Sequence, residues 1–177
     1  MSERPEQIRA SDVSFLPIVA SYVKRLGIVD EVNRLCPTKS GVQSGEVVLA
    51  LILDTISGRS PLYKLEQSFV HQDMELLFGK DIPPSKLNDD LVGRTMDSLF
   101  AAGTGLILTT VAINAVKQYD LDTRYAHHDT TSVTVYGDYD LYQDSDHGHP
   151  FVVTRGHNKD HRPDLKQIVH SLLCVDR

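Results

Sequence analysis

Apolar residues recur at spacings of three and four near the start of the chain, at Phe15, Leu16, Ile18, Val19, Tyr22, Val23 and Leu26. That period predicts an amphipathic helix, because residues three and four apart share one face. Pro17 fits an early helical position, where its missing N–H costs little, and Gly27 supplies a stop. A short second helix is expected from Val29 to Leu35, ended by Cys36-Pro37. Ser40 to Gln43 has the S-x-x-Q form of a capping box. It leads into Glu46 to Ile56, which is apolar nearly all round and so reads as a core helix. Ser60-Pro61 looks like an N-cap followed by proline at the first helical position. The helix it opens carries Leu62, Leu65 and Phe69 and is expected to continue to Phe78, before Gly79. Pro83-Pro84 then breaks the chain. Asn88 is a candidate N-cap, and Asp89 and Asp90 suit the positive end of a helix dipole. Leu91, Met96, Leu99 and Phe100 give that helix an apolar side, and Gly103 and Gly105 end it. Leu106 to Tyr119 reads as a further apolar helix.

The period changes near Tyr125. His127 to Tyr136 is rich in β-branched residues and has no helical period, so it reads as a strand. On a period of two, Asp129, Thr131, Val133 and Val135 share one face. Gly137 to Pro150 is polar, with four aspartates and two glycines, and is expected to be a loop. Phe151 to Thr154 fits a short extended piece. Lys166 to Val175 is a second strand candidate, although its apolar order also allows a short helix. The chain thus divides into a polar tail (1–11), a helical domain (12–120) and a β-containing segment (121–177), an α+β organisation. A two-stranded hairpin alone is marginal in water, so the last segment is expected to be an incomplete domain.

Composition narrows the classes. With 177 residues and a hydrophobic fraction of 41%, the chain has the make-up of a folded protein rather than a disordered one. No apolar run approaches the roughly 20 residues of a membrane span. The polar N-terminus has no signal-peptide core, which makes the cytoplasm the expected location. The two cysteines, Cys36 and Cys174, form no CxxC pattern and read as buried small apolar residues. A net charge of −6 weighs against nucleic-acid binding, which usually leaves a basic footprint. Local patches, however, decide binding rather than the sum.

Three groups of residues carry candidate chemistry. Asp129 lies within a strand, where an acid is costly unless paired, hydrogen-bonded or bound to metal. Its plain alternative is an edge-strand aspartate hydrogen-bonded to nearby hydroxyls. Arg155, Lys159, Arg162 and Lys166 stand against Asp160 and Asp164. They are either phosphate contacts, which position DNA without reading its sequence, or a solvated turn with local Asp–Arg pairs. Arg162-Pro163-Asp164 also suits a turn that joins strands and pins their register. His147, His149, His157 and His161, with His127 and His128 nearby, raise a zinc site. Such a site needs three or four ligands in closed geometry. Arg59, Lys64 and Arg94 are scattered cations of the helical domain.

The segment His127-His128-Asp129-Thr130-Thr131-Ser132, followed by Val135-Tyr136-Gly137, resembles the first-aspartate motif of DDE transposases of the insertion-sequence-four superfamily. Gly156-His157-Asn158-Lys159-Asp160-His161-Arg162-Pro163-Asp164-Leu165-Lys166-Gln167 is similar to a second segment of those proteins, with Asn158 where they usually carry serine. Leu87-Asn88-Asp89-Asp90 with Gly93-Arg94 resembles their N-terminal helical region, often catalogued as a domain of unknown function. The resemblance implies a helical domain followed by the first strands of a truncated ribonuclease-H-like α/β domain. It implies Asp129 as a catalytic, metal-binding member of an Asp-Asp-Glu set, with Mg2+ as cofactor, because that ion prefers oxygen ligands. It implies transposon-end DNA as partner, with a homodimer or a full-length transposase as a second one. Only Asp129 maps onto the set, so the chain alone is expected not to cut or join DNA. A DNA-binding or dimerising module, or an inert remnant, are the other expectations.

Overall fold

In the computed structural model, residues 11, 13–137, 153–157 and 161–175 are described. They form an α+β protein with seven α-helices followed by a three-stranded antiparallel sheet. The chain divides into two compact units, Met1–Asp120 and Leu121–Arg177.

The helical unit begins with α1 (Leu16–Arg25) and α2 (Ile28–Leu35). Gly27 joins them at φ +71°, a left-handed conformation open to glycine at little cost. α3 (Ser44–Ser57) packs against both. Its approach to α2 depends on Gly45: an added Cβ would overlap the Val29 carbonyl, and the Gly45 N–H donates to Asn33 Oδ1 at 2.7 Å. The capping box lies three residues beyond the expected one. Gln43 is the N-cap, and its N–H donates to the Glu46 carboxylate at 2.7 Å. Glu46 is the first acid able to reach back to a free N–H, and Ser40 instead stabilises the preceding turn through Val42.

The helix expected from Pro61 to Phe78 is broken into a 3-10 turn (Leu62–Lys64), α4 (Leu65–Ser68) and α5 (Met74–Phe78). Polar side chains explain the break. Asp73 caps a fresh helix by accepting from the Leu76 N–H at 2.9 Å. Ser60 is not an N-cap. Its N–H donates to Oδ2 of Asp54 at 2.9 Å, while the Ser68 hydroxyl donates to Oδ1 at 2.9 Å. Asp54 is only 4% exposed, and these donors offset the cost of burying its carboxylate. Around it lies the core, including Val47, Leu49, Leu53, Leu65, Phe69, Leu77 and Leu87, with Phe69 and Phe78 edge-to-face at 5.8 Å.

α6 (Asp89–Ala102) starts as expected, with the Asn88 side chain accepting from Leu91 at 3.0 Å. It ends at Gly103, and α7 (Thr104–Tyr119) starts directly afterwards. Gly105 therefore lies inside a helix rather than ending one, because Gly103 alone takes the positive φ needed to turn the chain. None of the residues of α7 is buried. No single helix among the described residues is long and apolar enough to cross a membrane. α6 and α7 reach that composition only as a pair bent by 82°.

The second unit holds β1 (Ala126–Val135), β2 (Thr154–Arg155) and β3 (Lys166–Val175), in the order β1-β3-β2. Lys166–Val175 is thus a strand, not a short helix. The sheet buries little. Val169, Leu172 and Leu173 are exposed, and so is Cys174, in contrast to the buried Cys36. The expectation that both cysteines are buried fails for Cys174, which shares the exposed end of β3 with Leu172 and Leu173.

Candidate functional site

Strand β1 forms because its β-branched run Thr130 to Val135 favours extended backbone. It pairs with β3 without interruption, from Ala126 opposite Val175 to Val135 opposite Lys166. An unbroken antiparallel register fixes the faces, because directly opposed residues project to the same side. Asp129, Thr131, Val133 and Val135 therefore share one side with His127, and β3 adds Cys174, Leu172, His170, Ile168 and Lys166 to it. The other side carries His128 and Ser171, whose Nε2 and Oγ lie 2.5 Å apart. The sequence signal for His170, Ser171 and Cys174 was present in the alternation of β3, but only the register assigns them to sides.

Asp129 is exposed and sits on an edge strand. Its Oδ1 accepts the N–H of Thr130 at 2.8 Å, a backbone donor rather than a hydroxyl. Exposure removes the desolvation cost that a buried acid would carry, so the carboxylate is open to solvent ions. Among the described residues, no three His, Cys, Asp or Glu side chains are grouped closely enough to hold a metal ion. Neither the zinc grouping of His127, His128, His157 and His161 nor a complete carboxylate set is assembled there. His147, His149 and Lys159 lie outside the described residues.

The cations of the turn segment have separate fates. Arg162 makes a two-pronged pair with Asp164, Nε to Oδ1 at 2.8 Å and Nη2 to Oδ2 at 2.6 Å. Hydrogen bonding by that guanidinium pulls the Asp164 carboxyl down to about 2. The local Asp–Arg pairing is therefore realised for Arg162. Leu165 N–H donates to the Arg162 carbonyl at 3.2 Å, closing the turn ahead of β3. Arg155 and Lys166 are opposed across β2 and β3. Arg155, Gly156, His157 and Pro163 line a shallow cleft of about 370 Å3. Gly156 lets the Gln167 amide approach the backbone here; a Cβ would require that amide to shift. Gln167 is 7% exposed, and its Oε1 has no hydrogen-bond partner among the described residues.

A family model with the description Domain of unknown function (DUF4277) matches residues 8–113. No curated protein and no solved structure matches the chain.

Proposed function

Since the chain belongs to the DUF4277 family, with the second unit following the matched region, we propose that it serves DNA transposition as part of a DDE transposase of the insertion-sequence-four-like superfamily. One observation carries this reading. Asp129, within the stretch that resembles the first-aspartate motif, lies in the middle of a regular strand with its carboxylate open to solvent. The second unit is then the start of a ribonuclease-H-like domain, and Asp129 is one ligand of its metal set. When bound, Mg2+ would polarise the scissile phosphate and activate the attacking oxygen. The described residues offer one such carboxylate on that side of the sheet and do not fit a complete metal site. No cutting or joining step is assigned to them. Their role is to hold DNA ends and to contribute Asp129.

The test uses the 177-residue chain with a fluorescent duplex copied from the DNA flanking its gene. The expected result is binding that weakens steeply with salt, without strand cleavage in Mg2+. Mn2+ should broaden the Thr130 amide resonance, and the Asp129→Asn variant should lose that broadening. Cleavage by the chain that survives Asp129→Asn would sink the assignment of this residue. Absence of DNA binding at low salt would sink the DNA reading.

A second reading, a dimerising module, is favoured by the apolar residues left exposed on α6 and α7, among them Met96, Phe100, Leu106 and Leu108. Exposed apolar patches of this kind often mark association surfaces. A second copy of the chain would cover them, and sedimentation of wild type against Leu108→Glu distinguishes dimer from monomer.

A further inference from the structure

The helical unit holds a polar cleft of about 310 Å3 that plays no part in the Asp129 face. It is lined by Arg25 and Leu26 at the end of α1, Gly27 before α2, and Asn114, Lys117 and Gln118 in the last turns of α7. Two cations and two amides converge there, and among the described residues no carboxylate lines the cleft. Neither Arg25 nor Lys117 makes an ion pair among the described residues.

Cations in the last turns of helices commonly do no more than offset the helix dipole. Arg25 is held more firmly than that role needs. Its Cζ lies 5.4 Å from the centre of the Tyr22 ring and 5.6 Å from that of Tyr119. Ring contacts orient a guanidinium while its N–H donors stay available for an acceptor. A planar fork fixed in this way suits two oxygens of one oxyanion. Gly27, placed here by its φ of +71°, lines the cleft without a side chain beside Asn114 Nδ2. The amides of Asn114 and Gln118 add neutral donors. The nearest acids in sequence, Asp120 after α7 and Asp30 and Glu31 in the first turn of α2, are not among the residues that line the cleft, and Glu31 is engaged by Arg34 at 2.5 Å.

We propose that this cleft binds a phosphate group, with the Arg25 fork and the Lys117 ammonium on its charged oxygens and the two amides on the remainder. Insofar as the proposal rests on the DNA reading above, the phosphate belongs to the DNA backbone. The same chemistry accepts inorganic phosphate.

Two probes applied to the full chain separate these sources. Inorganic phosphate is titrated while the amide resonances of Gly27 and Asn114 are followed. Short duplex DNA is titrated by fluorescence anisotropy across a salt series. Wild type is compared with Arg25→Gln, Lys117→Gln and the double variant, with Lys64→Gln as a control cation elsewhere. All the substituted side chains are exposed, and circular dichroism confirms their folding. The expected result is that the double variant loses the phosphate-induced shifts. Its DNA affinity should fall, and its log–log salt slope should shrink by about 0.9 per contact removed. Loss of phosphate shifts in a chain that never binds DNA would keep the cleft and overturn the DNA reading. Unchanged DNA affinity in a double variant that loses those shifts would make the cleft a small-phosphate site. Loss of DNA affinity without any inorganic phosphate shift would support a backbone contact. No difference between the double variant and Lys64→Gln with either probe would overturn the proposal.

Discussion

Helices α3 and α7 look alike as sequences and differ sharply as structures. Both are long, apolar and nearly free of charge. α3 buries Val47, Leu49, Ala50 and Leu53 together with its polar residues Ser44 and Asp54. α7 buries none of its residues, and Leu108 within it is 71% exposed. The difference lies in their neighbours. α3 is packed by α1, α2, α4 and α6, whereas α7 packs mainly against α2 and α6 within its unit and meets α1 through the Arg25–Tyr119 contact. Apolar composition makes a segment helical and prone to burial; the elements around it decide whether it is buried.

The strongest way to break this comparison is to truncate one leucine in each helix. Leu53→Ala should lose about 2–5 kcal/mol in urea unfolding, because it leaves a cavity in packed surroundings. Leu108→Ala should stay within about 0.5 kcal/mol, as exposed substitutions usually do. Equal losses would mean that α7 is buried in solution, as by a second copy of the chain. A smaller effect sharpens the account of α3. Asp54→Ala leaves the Ser60 N–H and the Ser68 hydroxyl without their acceptor, at a cost of about 1–3 kcal/mol by the same unfolding measurement. A neutral result would show that water replaces the carboxylate, and that α3 is less tightly enclosed than its burial implies.

The smallest effect belongs to the sheet unit, where ion pairing takes place in solvent. The Asp164 carboxyl, held by Arg162, lies at about 2, below its ordinary value of 3.8. A lowered folded-state value stabilises the fold above the ordinary value, and that contribution is lost as pH falls from about 3.8 toward about 2. Carboxyl NMR should place the midpoint near 2 in wild type and return it toward 3.8 in Arg162→Gln. An unchanged midpoint would remove the pair from the account. Because the pair is exposed, global stability should barely respond.

Much of this architecture was legible in the sequence, for reasons that differ by element. The Asn88 cap and the strand from Ala126 are set by local chemistry, a side-chain acceptor in one case and a β-branched run in the other. The break between α4 and α5 was not legible. Its local marker, the Asp73 cap, competes with the apolar period that runs through Leu65, Phe69 and Phe78, and the Asp54 contacts of Ser60 and Ser68 are identified only by the fold. Asp129 was legible as a candidate from its surrounding motif, but its neighbours His170 and Cys174 required the register. The Arg25 cleft was invisible, because Arg25 and Lys117 are far apart in sequence and each resembles an ordinary helix-end cation.

The two cysteines, unlike in exposure, give the molecule a pair of internal clocks. Burial pushes the Cys36 thiol up, and its Sγ lies 3.5 Å from the Ser98 carbonyl, so it stays unreactive while the helical unit is closed. Cys174 stands exposed on the last strand and meets an alkylating reagent at once. The fast modification therefore counts accessible sheet units, and the slow one times the opening of the helical core.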